Sequence, residues 1–317
     1  MKRTVLVLGA GGYVGRKLMD ALSRCEDMQP IACLRRQSST MGHASVCFDA
    51  TDPVELEKHI SGIDVVVNCI GSDPTAMKHS AQALLQAARS NGPLIVHFSS
   101  MAVYGSACGL LDENAPLRGD IGAYANAKVE IERLMASYPR RIILRPGCIY
   151  GPGSPAWSSR IARLLKARRL GDLGAAGDGI ANLVHVDDVA AAVIAGIRTP
   201  ECAGQVFNLA MKNPPTWNDY FISFAKALGA VPVRRIGEKM LKAEGKVFAP
   251  ALKILEILAG KLPVSLDLPP FMSPGLLSLF RQDITLVSEK AERELGLVWK
   301  DLEIGLRDSA LFEEEKK

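Results

Sequence analysis

Hydrophobic runs of strand length alternate with helical patterns along the first 145 residues. The apolar residues of each short run are continuous rather than alternating with polar ones, which is typical of strands buried on both faces of a parallel sheet. Strands are predicted at residues 4–8, 30–34, 45–48, 64–69, 94–98 and 141–144, and helices at 12–24, 53–59, 75–90 and 123–138. Right-handed crossovers would wind this chain into an α/β fold with a doubly wound parallel sheet.

The pattern loosens after residue 146. Glycine and proline cluster at 147–155, and an arginine-rich helix is predicted at 158–169. Residues 182–186 and 205–209 are predicted to be strands that rejoin the sheet, with a helix at 187–197 between them. From Thr216 onward the chain is predicted to be helical, which indicates a second, smaller lobe.

These patterns predict two domains that are each assembled from separate parts of the chain. The sheet domain takes residues 1–146, about 180–211 and 283–296, and the mostly helical substrate lobe takes about 147–179, 212–282 and 297–317. Within the lobe, residues 248–280 are apolar and carry few charges. We interpret this stretch as lobe core or a dimer face, or as an apolar pocket or membrane-facing patch for a lipophilic substrate.

Charge and composition limit the kinds of ligand and the cellular environment that we expect for this chain. The net charge of +4 is scattered along the chain, which favours small anionic ligands over nucleic acid. Seven cysteines show no CxxC pair and no metal-ligand spacing, so we expect a reduced, cytoplasmic protein with no metal site. We expect no signal peptide, because the apolar run that follows the N-terminal basic residues is short and ends in glycines. We also expect no spanning segment, because no run of about 18 apolar residues occurs.

A glycine-rich turn links the first predicted strand to the first predicted helix. The sequence GAGGYVG places Gly9, Gly12 and Gly15 at this junction. Glycine allows a tight turn and lets the backbone approach a pyrophosphate, while the helix N-terminus offers free N–H groups to the phosphates. The turn therefore predicts a dinucleotide site at the edge of the sheet.

The second strand ends in two arginines. A site selective for NAD usually has an acidic residue here to bind the ribose 2′-hydroxyl. This chain has Arg35 and Arg36, which suit a 2′-phosphate, so we expect NADP(H) to be preferred and keep NAD(H) as the alternative. Asp49, after the third strand, is expected to accept from the adenine amino group or to cap the following turn.

A Ser–Tyr–Lys set supplies the candidate chemistry. Tyr124 and Lys128 are four residues apart on a predicted helix and so share one face. A nearby ammonium should lower the pKa of the phenol and make Tyr124 a general acid/base for a carbonyl–alcohol pair. Ser99 and Ser100 directly follow the fifth strand, at the carboxyl edge where open α/β sheets bind ligands.

Taken together, these segments resemble the extended short-chain dehydrogenase/reductases of the NAD(P)-dependent epimerase/dehydratase superfamily. The matching segments are GAGGYVG at 9–15, the segment around Asp49, NCIG at 68–71, FSSMAVYG at 98–105, YANAK at 124–128, RPGCIYGP at 145–152 and HVDDV at 185–189. The resemblance implies a Rossmann fold with a helical C-terminal substrate lobe, a small-molecule substrate and often a homodimer. It makes Ser100 the catalytic serine, Tyr124 the acid/base and Lys128 the lysine that binds the ribose.

The resemblance also implies a set of cofactor and substrate contacts. The cofactor is expected to contact Gly9, Gly12, Tyr13, Val14, Gly15, Arg35, Arg36, Asp49, Ala50, Cys69, Ile70, Gly71, Lys128 and Pro146. The substrate is expected to contact Ser100, Met101, Tyr124 and Asn182.

Departures from the family pattern discriminate among its activities. Sugar 4,6-dehydratases carry an Asp–Glu pair where this chain has Met101 and Ala102, which argues against dehydration. Nucleotide-sugar epimerases usually carry an arginine before the HVDD-like segment, where this chain has Ala181 and Asn182. We therefore expect an NADP(H)-dependent interconversion of a secondary alcohol and a ketone. The alternatives are an NAD-dependent 4-epimerase of a nucleotide sugar or lipid-linked sugar, and a non-catalytic regulator that senses NADPH.

Overall fold

Seven parallel strands form the central sheet. The computed structural model describes residues 2–36, 42–71, 73–88, 92–243 and 272–316. The strands are β1 (Arg3–Leu8), β2 (Met28–Leu34), β3 (Ser45–Cys47), β4 (Val65–Asn68), β5 (Leu94–Phe98), β7 (Arg141–Pro146) and β10 (Val206–Leu209). Their order across the sheet is β10-β7-β5-β4-β1-β2-β3. The chain moves outward from β1 in both directions, so the carboxyl ends of β1 and β4 flank the point where ligands bind in such sheets. The predicted doubly wound Rossmann sheet is confirmed.

Helices cover both faces of this sheet because alternate strand residues point to opposite sides. Val5 and Val7 of β1 face the apolar cluster on one side of the sheet, and Leu6 and Leu8 face the cluster on the other side. The helices are α1 (Tyr13–Ser23), α2 (Pro53–Ile60), α3 (Pro74–Ala88), α4 (Ala123–Met135), α5 (Arg160–Lys166), α6 (Val186–Arg198), α7 (Trp217–Ala227), α8 (Glu238–Ala243), and then Pro274–Leu279, Glu289–Leu295 and Leu302–Glu315.

The chain divides into two compact units. The first contains the sheet and comprises Met1–Ile149, Val184–Lys212 and Leu286–Trp299, and the second comprises Tyr150–Leu183, Asn213–Thr285 and Lys300–Lys317. In the second unit, α7 supplies an aromatic core in which the Trp217 ring centroid lies 4.9 Å from that of Phe280. The division of cofactor and substrate binding between the two units stays a prediction.

Residues 182–186 do not rejoin the main sheet as expected. The observed strand there, β9 (Leu183–His185), belongs to a separate two-stranded sheet, because β10 occupies the position beside β7. Three other short strands also lie outside the main sheet in the described part of the chain, namely β6 (Gly109–Leu111), β8 (Cys148–Tyr150) and β11 (Ile284–Leu286). The main sheet therefore takes one strand from this region instead of two.

Most of the apolar stretch 248–280 lies outside the described residues. In its described part, Met272 and Phe280 are buried, and the helix Pro274–Leu279 between them has no buried residue. No helix in the described ranges has the length and apolar character needed to cross a membrane. Those ranges also hold no cluster of three His, Cys, Asp or Glu side chains arranged to bind a metal ion.

Candidate active site

The glycine turn between β1 and α1 has room for backbone but not for side chains. Gly9 has a φ of +77°, a conformation that L side chains rarely adopt. A Cβ on Gly9 would lie 3.2 Å from the backbone of Cys69 and Ile70, and one on Gly15 would lie 2.4 Å from the Gly9 carbonyl oxygen. The turn thus brings the carboxyl ends of β1 and β4 together and seats α1 directly on the turn.

The first turn of α1 is open to a ligand. Gly12 is its N-cap residue and offers no side-chain cap, and no acidic residue lies in the first turn. The exposed N–H groups and the positive end of the helix dipole therefore face the carboxyl edge of the sheet, where they suit a pyrophosphate. Tyr13 and Val14 form this turn, and burial raises the pKa of the Tyr13 phenol. These residues fit a nicotinamide dinucleotide.

Arg35 and Arg36 directly follow β2 and are exposed. Asp49 accepts hydrogen bonds from the Thr51 backbone N–H at 3.0 Å and from the Thr51 hydroxyl at 2.8 Å. These bonds, together with the charge of Arg35, hold the pKa of Asp49 below its usual value. The structure therefore places an ionised carboxylate near Arg35, beside the buried Ala50.

Ser100 begins a short 3₁₀ helix, Met101–Tyr104, at the carboxyl end of β5. Its hydroxyl oxygen accepts from the Ala102 backbone N–H at 3.2 Å, and the side chain is half-buried. Met101 is buried beside it. The cap orients the Ser100 hydroxyl at the edge of the sheet without enclosing it.

Tyr124 lies in the first turn of α4 with 39% of its surface exposed. Protein atoms around the phenol raise its pKa above the ordinary value, and a hydrogen bond with the Ser100 side chain partly opposes this. The structure therefore brings the predicted serine and tyrosine together. Because the phenol stays protonated at neutral pH, Tyr124 can donate a proton to an oxygen that Ser100 also contacts.

Lys128 is buried one turn further along α4, with 1% of its surface exposed. Its ammonium donates to the Phe98 carbonyl at 2.5 Å and lies 5.8 Å from the Tyr124 ring centroid. Burial lowers the pKa of Lys128 to about 8, although Cys69 and Glu132 oppose the shift. At the Tyr124 phenol burial is the largest influence and raises the pKa, and the lowering effect expected from Lys128 stays a prediction.

Comparison with known proteins agrees with this geometry. The model of the NAD dependent epimerase/dehydratase family matches residues 5–210, well over half of the chain. The chain belongs to this family. It is therefore an NAD(P)-dependent enzyme of the extended short-chain dehydrogenase/reductase type, and its site binds a nicotinamide cofactor.

Individual members of this family cover most of the chain at low identity. A 3-diazoavenalumate denitrifying reductase from Streptomyces is 30% identical in an alignment of 259 positions, and this alignment covers 73% of this chain and 84% of the relative. A ceramide reductase from Caulobacter vibrioides is 24% identical over 72% of this chain and 71% of its own length. The structure of a UDP-glucose 4-epimerase from Thermotoga maritima with UDP-glucose superposes with a TM-score of 0.74 at 17% identity over 99% of both chains.

Sequence reasoning missed a buried polar cluster that links β5, α4, β7 and β10. It consists of Ser99, Tyr104, Glu132, Arg145 and Asn208, all less than 5% exposed. The Arg145 guanidinium donates to both oxygens of Glu132 and, at 2.9 Å, to the Tyr104 hydroxyl. That hydroxyl in turn donates to the Asn208 side-chain oxygen at 2.7 Å. In the sequence, the signal for this cluster is the charged residue Arg145 within the apolar strand at 141–146.

Two further predicted contacts are structural in the observed fold. Pro146 is buried at the end of β7 and is paired with Leu209 of β10. Asn182, in the second unit, is buried and donates to the Ile284 carbonyl at 2.7 Å. Their roles toward cofactor and substrate stay predictions.

A histidine caps α6. His185 is the N-cap residue, and its ring nitrogen accepts from the Asp187 N–H at 3.2 Å. The two aspartates lie in the first turn, where their charges suit the helix dipole.

Proposed function

We propose that the protein is an NADPH-dependent reductase that converts a ketone to a secondary alcohol. The observation that carries this proposal is that the Ser100 hydroxyl, the Tyr124 phenol and the Lys128 ammonium lie close together at the carboxyl edge of the sheet. A tyrosine is protonated at neutral pH and can donate that proton to the oxygen of a ketone, which suits the reductive direction.

Ser100, Tyr124 and Lys128 have separate roles in the proposed reaction. NADPH, when bound, supplies the hydride. The Ser100 hydroxyl holds the substrate oxygen against Tyr124, and Tyr124 transfers its phenol proton to that oxygen as negative charge develops there. The Lys128 ammonium, anchored on the Phe98 carbonyl, stabilises the phenolate that remains and holds the cofactor ribose.

The preference for NADPH rests on the end of β2. Arg35 is exposed directly after β2, and its charge helps to lower the pKa of Asp49. The end of this strand is where folds of this kind bind the adenosine ribose, so we assign Arg35 to the cofactor. A guanidinium binds a 2′-phosphate with charge-assisted hydrogen bonds and lacks the acceptor that a 2′-hydroxyl needs.

Substrate class is supported by the relatives and by the departures from the family pattern. The two relatives described above are named as reductases, one of them of ceramide, and three further matched relatives are named as reductases of dTDP-4-dehydrorhamnose, a nucleotide sugar. The catalytic serine is followed by Met101 and Ala102 in place of the Asp–Glu pair of dehydratases. The relatives therefore support reduction of a carbonyl. We favour a substrate with an apolar body over a nucleotide sugar because this chain has Ala181 and Asn182 where nucleotide-sugar epimerases usually carry an arginine.

One assay separates the reductase from the epimerase alternative. NADPH absorbance is followed with the purified protein and a panel of aliphatic and aromatic ketones, and nucleotide sugars are incubated with NAD in parallel. We expect ketone-dependent oxidation of NADPH. Inversion of a sugar at C4 without net change in nicotinamide absorbance would instead establish the 4-epimerase, which the Thermotoga maritima neighbour exemplifies.

A further inference from the structure

Glu132 is the centre of the buried cluster that links β5, α4, β7 and β10. One oxygen of its carboxylate accepts from the Ser99 hydroxyl and from Arg145 Nε at 3.0 Å, and the other accepts from Arg145 Nη2 at 2.7 Å. Glu132 and Arg145 are each 4% exposed and Ser99 is 3% exposed. The carboxylate is thus fully engaged and shielded from water.

Ser99, Glu132 and Arg145 each lie within one helical turn or one residue along the chain of a residue of the candidate site. Ser99 precedes Ser100 at the end of β5, and Glu132 follows Lys128 by four residues on α4. Arg145 lies one residue before the end of β7. Four residues on a helix place two side chains on one face, so Glu132 and Lys128 are neighbours in the protein interior.

A buried ion pair usually adds little to the net free energy of folding. Desolvation of both charges offsets much of their attraction, and apolar replacements of similar volume are often neutral or stabilising. The three partners come from a strand end, a helix and a second strand, so their bonds fix α4 relative to β5 and β7. These are the elements that carry the serine, the tyrosine and the lysine.

We propose that Glu132 is a positioning residue that keeps Lys128 in its charged form and locks the helix of Tyr124 and Lys128 against the strand end of Ser100. This proposal rests on the proposed reductase function for its catalytic meaning. Its electrostatic part concerns the cofactor-free protein and can be measured without any substrate.

The surroundings of Lys128 support the electrostatic part. The titratable groups that face it are Cys69 from the end of β4, His97 from β5, and Tyr124 and Glu132 from its own helix. Burial lowers the pKa of His97 well below its usual value, so this ring is neutral, and burial raises the pKa of the Cys69 thiol to about 12. Glu132 is therefore the carboxylate that favours the charged lysine against the cost of burial.

The test measures the ionisation of Lys128 directly. Protein labelled with ¹⁵N-lysine is titrated from pH 6 to 11 without cofactor, and the Lys128 Nζ signal is assigned by its loss in Lys128→Met. In Glu132→Gln we expect the midpoint to fall by about one pH unit, since an opposite charge within a few ångströms shifts a pKa by roughly that amount or more. Glu132→Asp keeps the charge and should return the midpoint toward the wild-type value.

Glu130→Gln is the matched control. Glu130 lies on the same helix and loses the same charge, but its ion pair with Lys78 at 2.8 Å is on the surface. We expect it to leave the midpoint unchanged and to keep full reductase turnover. In Glu132→Gln, kcat for ketone reduction should fall at least tenfold while KM for the ketone changes little.

Folding of the variants is secured by a second substitution. Glu132→Gln leaves Arg145 buried without its partner, which can unfold the protein. The double variant Glu132→Gln/Arg145→Met removes both charges together, and it should lower the Lys128 midpoint by less than Glu132→Gln because loss of the Arg145 cation partly offsets loss of the carboxylate. A wild-type midpoint in a folded variant without the carboxylate would overturn the proposal even if ketones are reduced. If the Lys128 midpoint is lowered in Glu132→Gln but the wild-type protein reduces no ketone, the role of Glu132 is supported and the reductase function is refuted.

Discussion

The substitution Gly15→Ala isolates the contact between α1 and the phosphate-binding turn. The added Cβ would lie 2.4 Å from the Gly9 carbonyl oxygen and 2.7 Å from the Ala10 Cα, both of them backbone atoms that no rotamer change can move. The helix must therefore shift away from the turn that orients its N–H groups.

The size of the effect follows from these distances. An ordinary contact between carbon and oxygen needs well over 3 Å, so α1 has to move by about an ångström, and overpacking of this kind costs about 1–3 kcal/mol. The same movement takes the first-turn N–H groups out of reach of a pyrophosphate. We expect the affinity for NADPH to fall by about two orders of magnitude, which corresponds to about 2.7 kcal/mol.

Gly11→Ala is the matched control, because its Cβ would meet only Leu34 Cδ2 at 3.6 Å, an ordinary contact. The assay is titration of NADPH fluorescence, with thermal unfolding measured on the same samples. Gly11→Ala should bind close to the wild-type value. If Gly15→Ala binds NADPH as tightly as Gly11→Ala, the close seating of α1 on the turn does not govern cofactor binding.

Three further predictions concern charge and burial. Because the pKa of Lys128 is about 8 and that of Tyr124 is raised, kcat/KM for ketone reduction should be constant below pH 8 and fall above it as Lys128 loses its proton; a profile flat to pH 10 would contradict this. Arg35→Ala should weaken NADPH binding by roughly 10-fold or more and NADH binding far less. Arg36→Ala should have the smaller effect in the same titrations, because the charge of Arg36 does not contribute to the lowered pKa of Asp49. Equal losses of affinity for both cofactors in Arg35→Ala would refute a 2′-phosphate contact. His97 is buried, and neither of its ring nitrogens is hydrogen-bonded in the described part of the chain. The free energy of unfolding of His97→Leu in urea titrations should therefore equal the wild-type value or exceed it by about 1 kcal/mol, and a loss of over ~2 kcal/mol would show that the ring has a partner.

The sheet and the glycine turn could be predicted because their signals are local. Continuous apolar runs such as 64–69 identify buried strands, and glycines at 9, 12 and 15 can be read from spacing alone. Strand β2 begins at Met28, in register with Arg3, two residues before the predicted start. The prediction missed these residues because the polar side chain of Gln29 interrupts the apolar run.

The buried cluster and the direction of the pKa of Tyr124 could not be predicted. Glu132 and Arg145 are thirteen residues apart and meet only because α4 packs on the sheet. Whether a phenol next to a lysine has a raised or lowered pKa depends on how much protein surrounds it and on where the ammonium donates. At this site burial dominates, and the Lys128 ammonium is turned to the Phe98 carbonyl.

The central claim is that the Tyr124 phenol donates the proton during reduction of a ketone. Its most direct test is the single-turnover rate of NADPH oxidation, at a saturating ketone found in the substrate screen, in wild type, Tyr124→Phe and Tyr138→Phe. Tyr138 is the control because its buried hydroxyl donates to the Pro93 carbonyl at 2.7 Å and takes no part in the site. We predict that Tyr124→Phe slows the reaction by about 100-fold or more while Tyr138→Phe keeps the wild-type rate; a wild-type rate in Tyr124→Phe would contradict the account.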